Sequence, residues 1–387
     1  MTRTAESMGE RILDNLKLVL ADEVVQGHVV LDGPRIRAVG HGRVGLPRAE
    51  DCGGDWLLPG FVELHTDNLE KHLVPRPGVA FPAAAAVQAH DAQLLAAGIT
   101  TACDALSVGD VEADSVRVRT LQAAHAALAG ARQQGGLRSN HYLHLRAELP
   151  YPGLLPLLEP LLDDPAVRLL SLTDHTPGQR QFRDLRRYAA YYGLAPAANR
   201  DWLDELLQAR REQQARHRPA HLEQVLRWVR ERGLCLASHD DTVAADVEEA
   251  VACGARICEF PTTLEAAAVA RTAGMTIVAG APNLVLGGSH SGNVAALDLA
   301  RAGCLDVLSS DYVPASLLPA LDVLCTRLGW GLPRAVATVS HAPAQALGLH
   351  DRGRIGEGLR ADLLRVRGAT PDYVAEVWVG GRRLLAQ

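Results

Sequence analysis

The chain has 387 residues, 48% of them hydrophobic and 22% charged, and a net charge of −6. That is enough for one barrel-sized domain and an accessory unit. The charge balance excludes a bulk nucleic-acid or anionic-membrane binder, and no run approaches the ~18 apolar residues of a membrane span. An anionic substrate would have to be met by local cations.

Charges interrupt the first apolar stretch, after Met8, so no secretory segment is expected and a cytoplasmic protein is. Residues 16–20, 28–31 and 35–39 read as short strands separated by turn residues such as Asp32-Gly33-Pro34. Residues 362–366 and 374–379, with a Gly380-Gly381 turn, read the same way. The two strand-rich ends predict one small β-sandwich domain built from 1–58 plus 354–387, flanking an α/β domain over 59–353.

In the middle, apolar runs recur at 55–64, 99–103, 141–145, 167–172, 234–238, 255–260, 275–279 and 305–310. Ala/Leu/Arg-rich helical segments, such as 116–134 and 222–232, separate most of them. Repeated βα units of this number predict a (β/α)8 TIM barrel. No GxGxxG follows the first run, which disfavours a doubly wound sheet. A long insertion around 177–232 carries polar, arginine-rich helical stretches at 179–192 and 201–218. It reads as a solvated helical hairpin or as a lid over the barrel mouth.

Cys52, Cys103, Cys235, Cys253, Cys258, Cys304 and Cys325 are odd in number and form no CxxC pair. They read as reduced thiols, not a disulfide or zinc-thiolate framework. Lysine occurs only at Lys17 and Lys71.

His65 and Asp67 end the first of the eight runs. Residues i and i+2 of an extended chain share a face, so an imidazole and a carboxylate aim at one point. Barrel enzymes carry their chemistry at the C-terminal ends of strands. Read that way, Glu148 follows strand four, His175 strand five, His239 strand six and Asp311 strand eight. Each alone is more often structural than a ligand. The ordered set His65, Asp67, Glu148, His175, His239 and Asp311 predicts one or two divalent ions, zinc first and manganese or iron(II) as alternatives. His141 and His144, inside a strand, read as core packing or as support for other groups.

This order on a barrel with a split β domain resembles the amidohydrolase superfamily. Many members bridge two metals with a carboxylated lysine; no lysine is near enough here, so Glu148 is the candidate replacement. The usual HxH appears as His65-Thr66-Asp67. The blocks 59–71 with Pro75-Arg76-Pro77-Gly78, 174–182, 237–241, 259–263, 287–293 and 309–312 are similar to the α-D-ribose 1-methylphosphonate 5-triphosphate diphosphatases of the C–P lyase phosphonate pathway. The resemblance implies a small phosphorylated sugar as substrate and release of pyrophosphate, leaving the 5-phosphate. A C–N hydrolase, a cyclic amidase or deaminase on the same scaffold, is the alternative.

On this reading Asp311 is the base that orients and deprotonates water. Lys71, Arg76 and Arg180 would contact the polyphosphate, with Gly288, Ser289 and His290 of the Gly/Ser loop supplying further donors. Leu286 stands where the family often has an arginine, so one positive contact is missing or comes from elsewhere. A homodimer is compatible with the sequence but not required by it.

Overall fold

The computed structural model describes residues 10–76, 78–112, 115–183, 185, 188, 200–289 and 292–386. Its first strands are β1 Arg11–Val19, β2 Val24–Asp32, β3 Arg35–His41, β4 Glu50–Asp51 and β5 Trp56–Pro59. The next eight are β6 Phe61–Thr66, β7 Ile99–Val108, β8 Asn140–Glu148, β9 Val167–Thr173, β10 Cys235–His239, β11 Ile257–Glu259, β12 Thr276–Gly280 and β13 Val307–Ser309. The last are β14 Leu363–Arg367, β15 Tyr373–Val379 and β16 Arg382–Ala386.

Both ends of the chain share one mixed sheet, ordered β16-β15-β14-β5-β1-β2-β3 with β4 on β1. β3 at the sheet's edge nonetheless meets the segment that leads into β14: Arg35 is bridged to Arg360, and the Ile36 N–H donates to the Leu359 carbonyl (2.9 Å). Neighbouring strands lie about 4.8 Å apart, so a flat sheet would hold these residues well out of contact. The sheet therefore curls on itself, and the sandwich expected from sequence is one continuous sheet enclosing its own core. A bulge in β1 at the positive-φ residue Asn15 provides part of the bend. Gly60 joins this sheet to the barrel. A Cβ there would lie 2.3 Å from Thr100 Oγ1, so a larger residue would separate the two units.

Strands β6 to β13 form an eight-stranded parallel sheet in chain order. β13 returns to β6 through a parallel bridge between Thr66 and Asp311, which nearly closes the barrel. Side chains hold that seam. Glu63 accepts from the backbone N–H groups of His65 (2.8 Å) and Ser310 (2.6 Å), and Ser309 Oγ donates to the His65 carbonyl (2.6 Å).

The barrel interior is layered. Leu169, Ala237, Ile257, Val278 and Val307 form one apolar cluster. Two residues on, by the alternation of strands, the same face carries Ser171, His239, Glu259, Gly280 and Ser309. The apolar layer fills the axis, and the polar layer lies at the catalytic end.

One helix spans Arg200–Arg232 and contains Pro219, where two segments were expected from sequence. The missing N–H costs a helical bond. Anchors on both sides of it hold the helix: Gln214 to Asp174 (2.6 Å), Arg218 to Glu249 (2.6 Å), and His221 Nδ1 to the Leu149 carbonyl (2.9 Å). Half of the expected first helical stretch, 179–192, lies outside the described residues.

A second buried polar cluster ties helix Ala83–Ala96 to β7 and β8. Asp104 bonds His90 Nε2 (2.7 Å) and His141 Nδ1 (2.8 Å), and His141 Nε2 reaches Asp91 (3.2 Å). Both His141 nitrogens thus donate to carboxylates. Burial would depress its pKa, but Asp104 and then Asp91 override this and hold it up at about 9. An unfolded histidine titrates near 6.5, so this stabilisation is complete below that pH and is lost as pH rises through 9. Stability should therefore fall by up to about 3 kcal/mol between those limits, and His141→Gln should flatten the fall. Urea midpoints at the two pH values test this; equal slopes in both proteins would remove His141 as the cause.

Candidate active site

A cavity of 390 Å³ opens at the C-terminal ends of the barrel strands. Its wall includes His65, Asp67, His175, His239, Asp240 and Asp311, with Arg117 and Arg146 as its cations. Residues separated by up to 246 positions thus meet around one space.

Each imidazole is backed by a buried carboxylate. His175 Nδ1 donates to Glu148 Oε2 (2.6 Å), whose other oxygen accepts the His175 backbone N–H (2.9 Å). His65 Nδ1 donates to Glu259 Oε1 (3.2 Å), and His239 Nδ1 donates to Glu259 Oε2 (3.3 Å). A proton fixed on Nδ1 leaves the Nε2 lone pair for a ligand, the arrangement that orients metal-binding histidines. Burial alone would raise Glu148, but the charge and hydrogen bond of His175 override it and hold the carboxyl at about 2.

The donor set fits a divalent cation. Three imidazoles and the carboxylates of Asp67, Asp240 and Asp311 face a space with two arginines. One ligand atom from each of His175, His239 and Asp240 lies within 4.8 Å of the others. Burial, and then the neighbouring Asp67, pushes Asp311 up to about 7, with His65 and Arg146 opposing. A cation is the physical means of relieving that crowding. Asp240, Phe260 and Asp311 have φ of 57°, 53° and 52°, so the chain turns sharply at three strand ends. Aspartate tolerates this region better than phenylalanine does.

The strand ordinals need correction. Glu148 ends the third barrel strand, His175 follows the fourth and His239 ends the fifth. Each is one position earlier than the sequence reading had it, and the sixth strand ends on Glu259. Glu148 backs His175 and is not part of the cavity wall.

The candidate phosphate contacts are placed unevenly. Lys71 is exposed, with its ammonium on the Tyr312 carbonyl and 4.8 Å from that ring centroid. Tyr312 itself lines the cavity. Arg76 is exposed in a bridge with Val79. Arg180 is turned away from the cavity, donating to Asp241 Oδ1 and the His239 carbonyl, both at 2.8 Å. Its neighbours Gln181 and Phe182 do line the wall. Gly288 donates its N–H to the Asn283 carbonyl (3.0 Å), Ser289 lines the cavity, and His290 lies outside the described residues. Leu286 is 74% exposed at the end of helix Ala281–Leu286.

Arg146, Asp240, Glu259 and Arg117 carried no role in the sequence reading. For Arg146 and Glu259 a signal existed: Arg146 stands two residues before Glu148 on the same strand, and Glu259 lies at the C-terminal end of the sixth apolar run. Asp240 adjoins His239. Arg117 had no local signal.

The parallel barrel and the sheet shared by both termini make a fold of the amidohydrolase type. No family model matches the chain. It is 46% identical over 382 residues to the alpha-D-ribose 1-methylphosphonate 5-triphosphate diphosphatase of Escherichia coli K12, spanning 96% of this chain and 100% of that protein, and it belongs to that diphosphatase family. Solved structures share the fold at low identity. The 5-methylcytosine deaminase of Klebsiella pneumoniae has a TM-score of 0.65 at 14% identity, with 97% of each chain covered. The N-acetylglucosamine-6-phosphate deacetylase of Pasteurella multocida has a TM-score of 0.64 at 13%, covering 97% of this chain and 100% of that one. No described helix is long and apolar enough to cross a membrane.

Proposed function

We propose that this chain hydrolyses α-D-ribose 1-methylphosphonate 5-triphosphate to the 5-phosphate and pyrophosphate, as a cytoplasmic enzyme of phosphonate catabolism. The observation that carries this reading is the near-full-length identity to the Escherichia coli diphosphatase, joined to a cavity whose wall holds the required groups. The C–N hydrolase alternative rests on the scaffold alone. The seven free cysteines suit a reducing compartment.

His175, His239 and Asp240 would hold one cation, and His65, Asp67 and Asp311 border room for a second; zinc suits the imidazole-rich set best. A bound divalent cation lowers the pKa of water toward neutrality. Asp311 accepts the proton of the attacking water and keeps it oriented toward phosphorus. Arg146 and Arg117 draw the phosphate oxygens into the cavity and stabilise charge on the departing pyrophosphate. Ser289 and Asn293 line the wall beside Asn283, whose amide holds the Val294 carbonyl (3.2 Å) and the Ala296 N–H (2.9 Å). Phe182 and Phe260 give the wall its aromatic surface.

The direct assay is phosphate release, after adding a pyrophosphatase, from a ribose 5-triphosphate. Ammonia release from amides or amidines without phosphate release would instead favour the C–N hydrolase.

The placement of the arginines gives a second expectation. Arg117→Ala should raise KM for a triphosphate about tenfold, and for a diphosphate less, since one charged hydrogen bond is lost. Arg180→Ala should chiefly lower thermal stability, because Asp241 loses its buried partner. The reverse pattern would return the phosphate contact to Arg180.

A further inference from the structure

We propose that Glu259 is a positioning residue that sets the metal-binding tautomer of His65 and His239 together, and that Ser171 decides which of its oxygens serves which ring. The inference rests on the reading that the cavity takes a divalent cation. It does not depend on the substrate.

Glu259 is fully buried at the end of β11. Its Oε1 faces His65 Nδ1 at 3.2 Å, and its Oε2 faces His239 Nδ1 at 3.3 Å. The two rings are stacked, with centroids 5.5 Å apart and planes 19° from parallel. Phe260 meets both edge-on, at 5.0 and 5.4 Å, and so limits their rotation. Ser171 Oγ adds a third hydrogen bond, to Oε2 at 2.6 Å. One carboxylate thus satisfies two imidazoles from strands at opposite sides of the barrel's sheet order, β6 and β10. Only an ionised carboxylate offers two acceptor oxygens at once.

An amide in its place cannot. In Glu259→Gln the carbonyl oxygen belongs on the side where Ser171 and His239 both donate. The NH2 is then left facing His65 Nδ1. His65 must move its proton to Nε2 to accept from it, and so it loses the lone pair that faces the cavity. His239 keeps its own.

The test uses Co²⁺ alone, with affinity measured by chelator competition in the purified full chain. Glu259→Gln should weaken the His65-containing site by about 10–100-fold. His65→Ala should cost a similar factor, and the double variant should cost no more than either. Histidine ¹⁵N shifts of the metal-free Gln variant should show one ring changed from Nδ1–H to Nε2–H. If the Gln variant does not fold, Ser171→Ala carries the test, with an expected loss of about threefold from one hydrogen bond.

Wild-type Co²⁺ affinity in whichever of these variants folds would overturn the assignment, as would additive losses in the double variant. Absence of Co²⁺ binding by the wild-type chain would overturn the metal reading itself, and that outcome is visible before any variant is made.

Discussion

Asp311→Asn should fold normally and bind metal through His175 and His239, yet turn over about 10³-fold or more slowly. The amide is isosteric and asparagine tolerates the φ of 52° found there, so backbone strain does not change. The Thr66 Oγ1 bond to the Asp311 carbonyl (3.1 Å) and the Asp311 N–H bond to Ser309 Oγ (3.0 Å) are main-chain bonds that the substitution leaves intact. What disappears is a proton acceptor.

The pH profile gives a second readout of that variant. Burial and Asp67 raise the Asp311 carboxyl to about 7, so it is protonated and inactive as a base at acid pH. Activity should rise with pH through that group's ionisation, at a value lowered by any cation beside it. The residual rate of the Asn variant should lack this limb. Wild-type-like turnover in Asp311→Asn would remove the residue from the base role. The same profile at reduced rate would assign the limb to another group.

Arg146→Met should lower kcat/KM about 10²–10³-fold with the fold retained. Arg146 is buried in β8 and lines the cavity, and its Nη1 stands 3.8 Å from Asp67 Oδ2. Its buried Nε finds no acceptor among the described residues, so the guanidinium charge is only partly met within the protein. Methionine fills similar space without charge, so the loss reads electrostatics more than packing. Arg146→Lys should recover little, because a point charge cannot reproduce the fork. Full recovery by lysine would reduce the role of Arg146 to general charge balance.

The two arginines that line the cavity also bear on Leu286. The resemblance implied an arginine there, and an exposed leucine ends helix Ala281–Leu286 instead. Arg117 follows β7 and Arg146 lies within β8, so positive charge in this cavity comes from the first half of the barrel. The loop after β12 contributes Ser289 and Asn293 to the wall.

The sequence by itself determined the barrel and the sheet shared by the termini, because apolar runs of strand length at βα spacing leave few other ways to bury so much surface. It also determined that His65, Asp67, His175, His239 and Asp311 stand at the C-terminal ends of barrel strands, because a residue's place relative to the end of its own strand is a local property. Only the tertiary structure decided what each of them touches. Arg180 follows a ligand-bearing strand as plainly as any other candidate, yet a φ of 47° turns it onto Asp241 and away from the cavity. Glu148 backs His175, and Glu259 reaches His65 across 194 positions and His239 across 20. Backbone sign changes at strand ends and pairings across the barrel axis leave no periodic trace in the chain. They are fixed only when strands far apart in sequence converge on one axis and compete for the same buried hydrogen bonds.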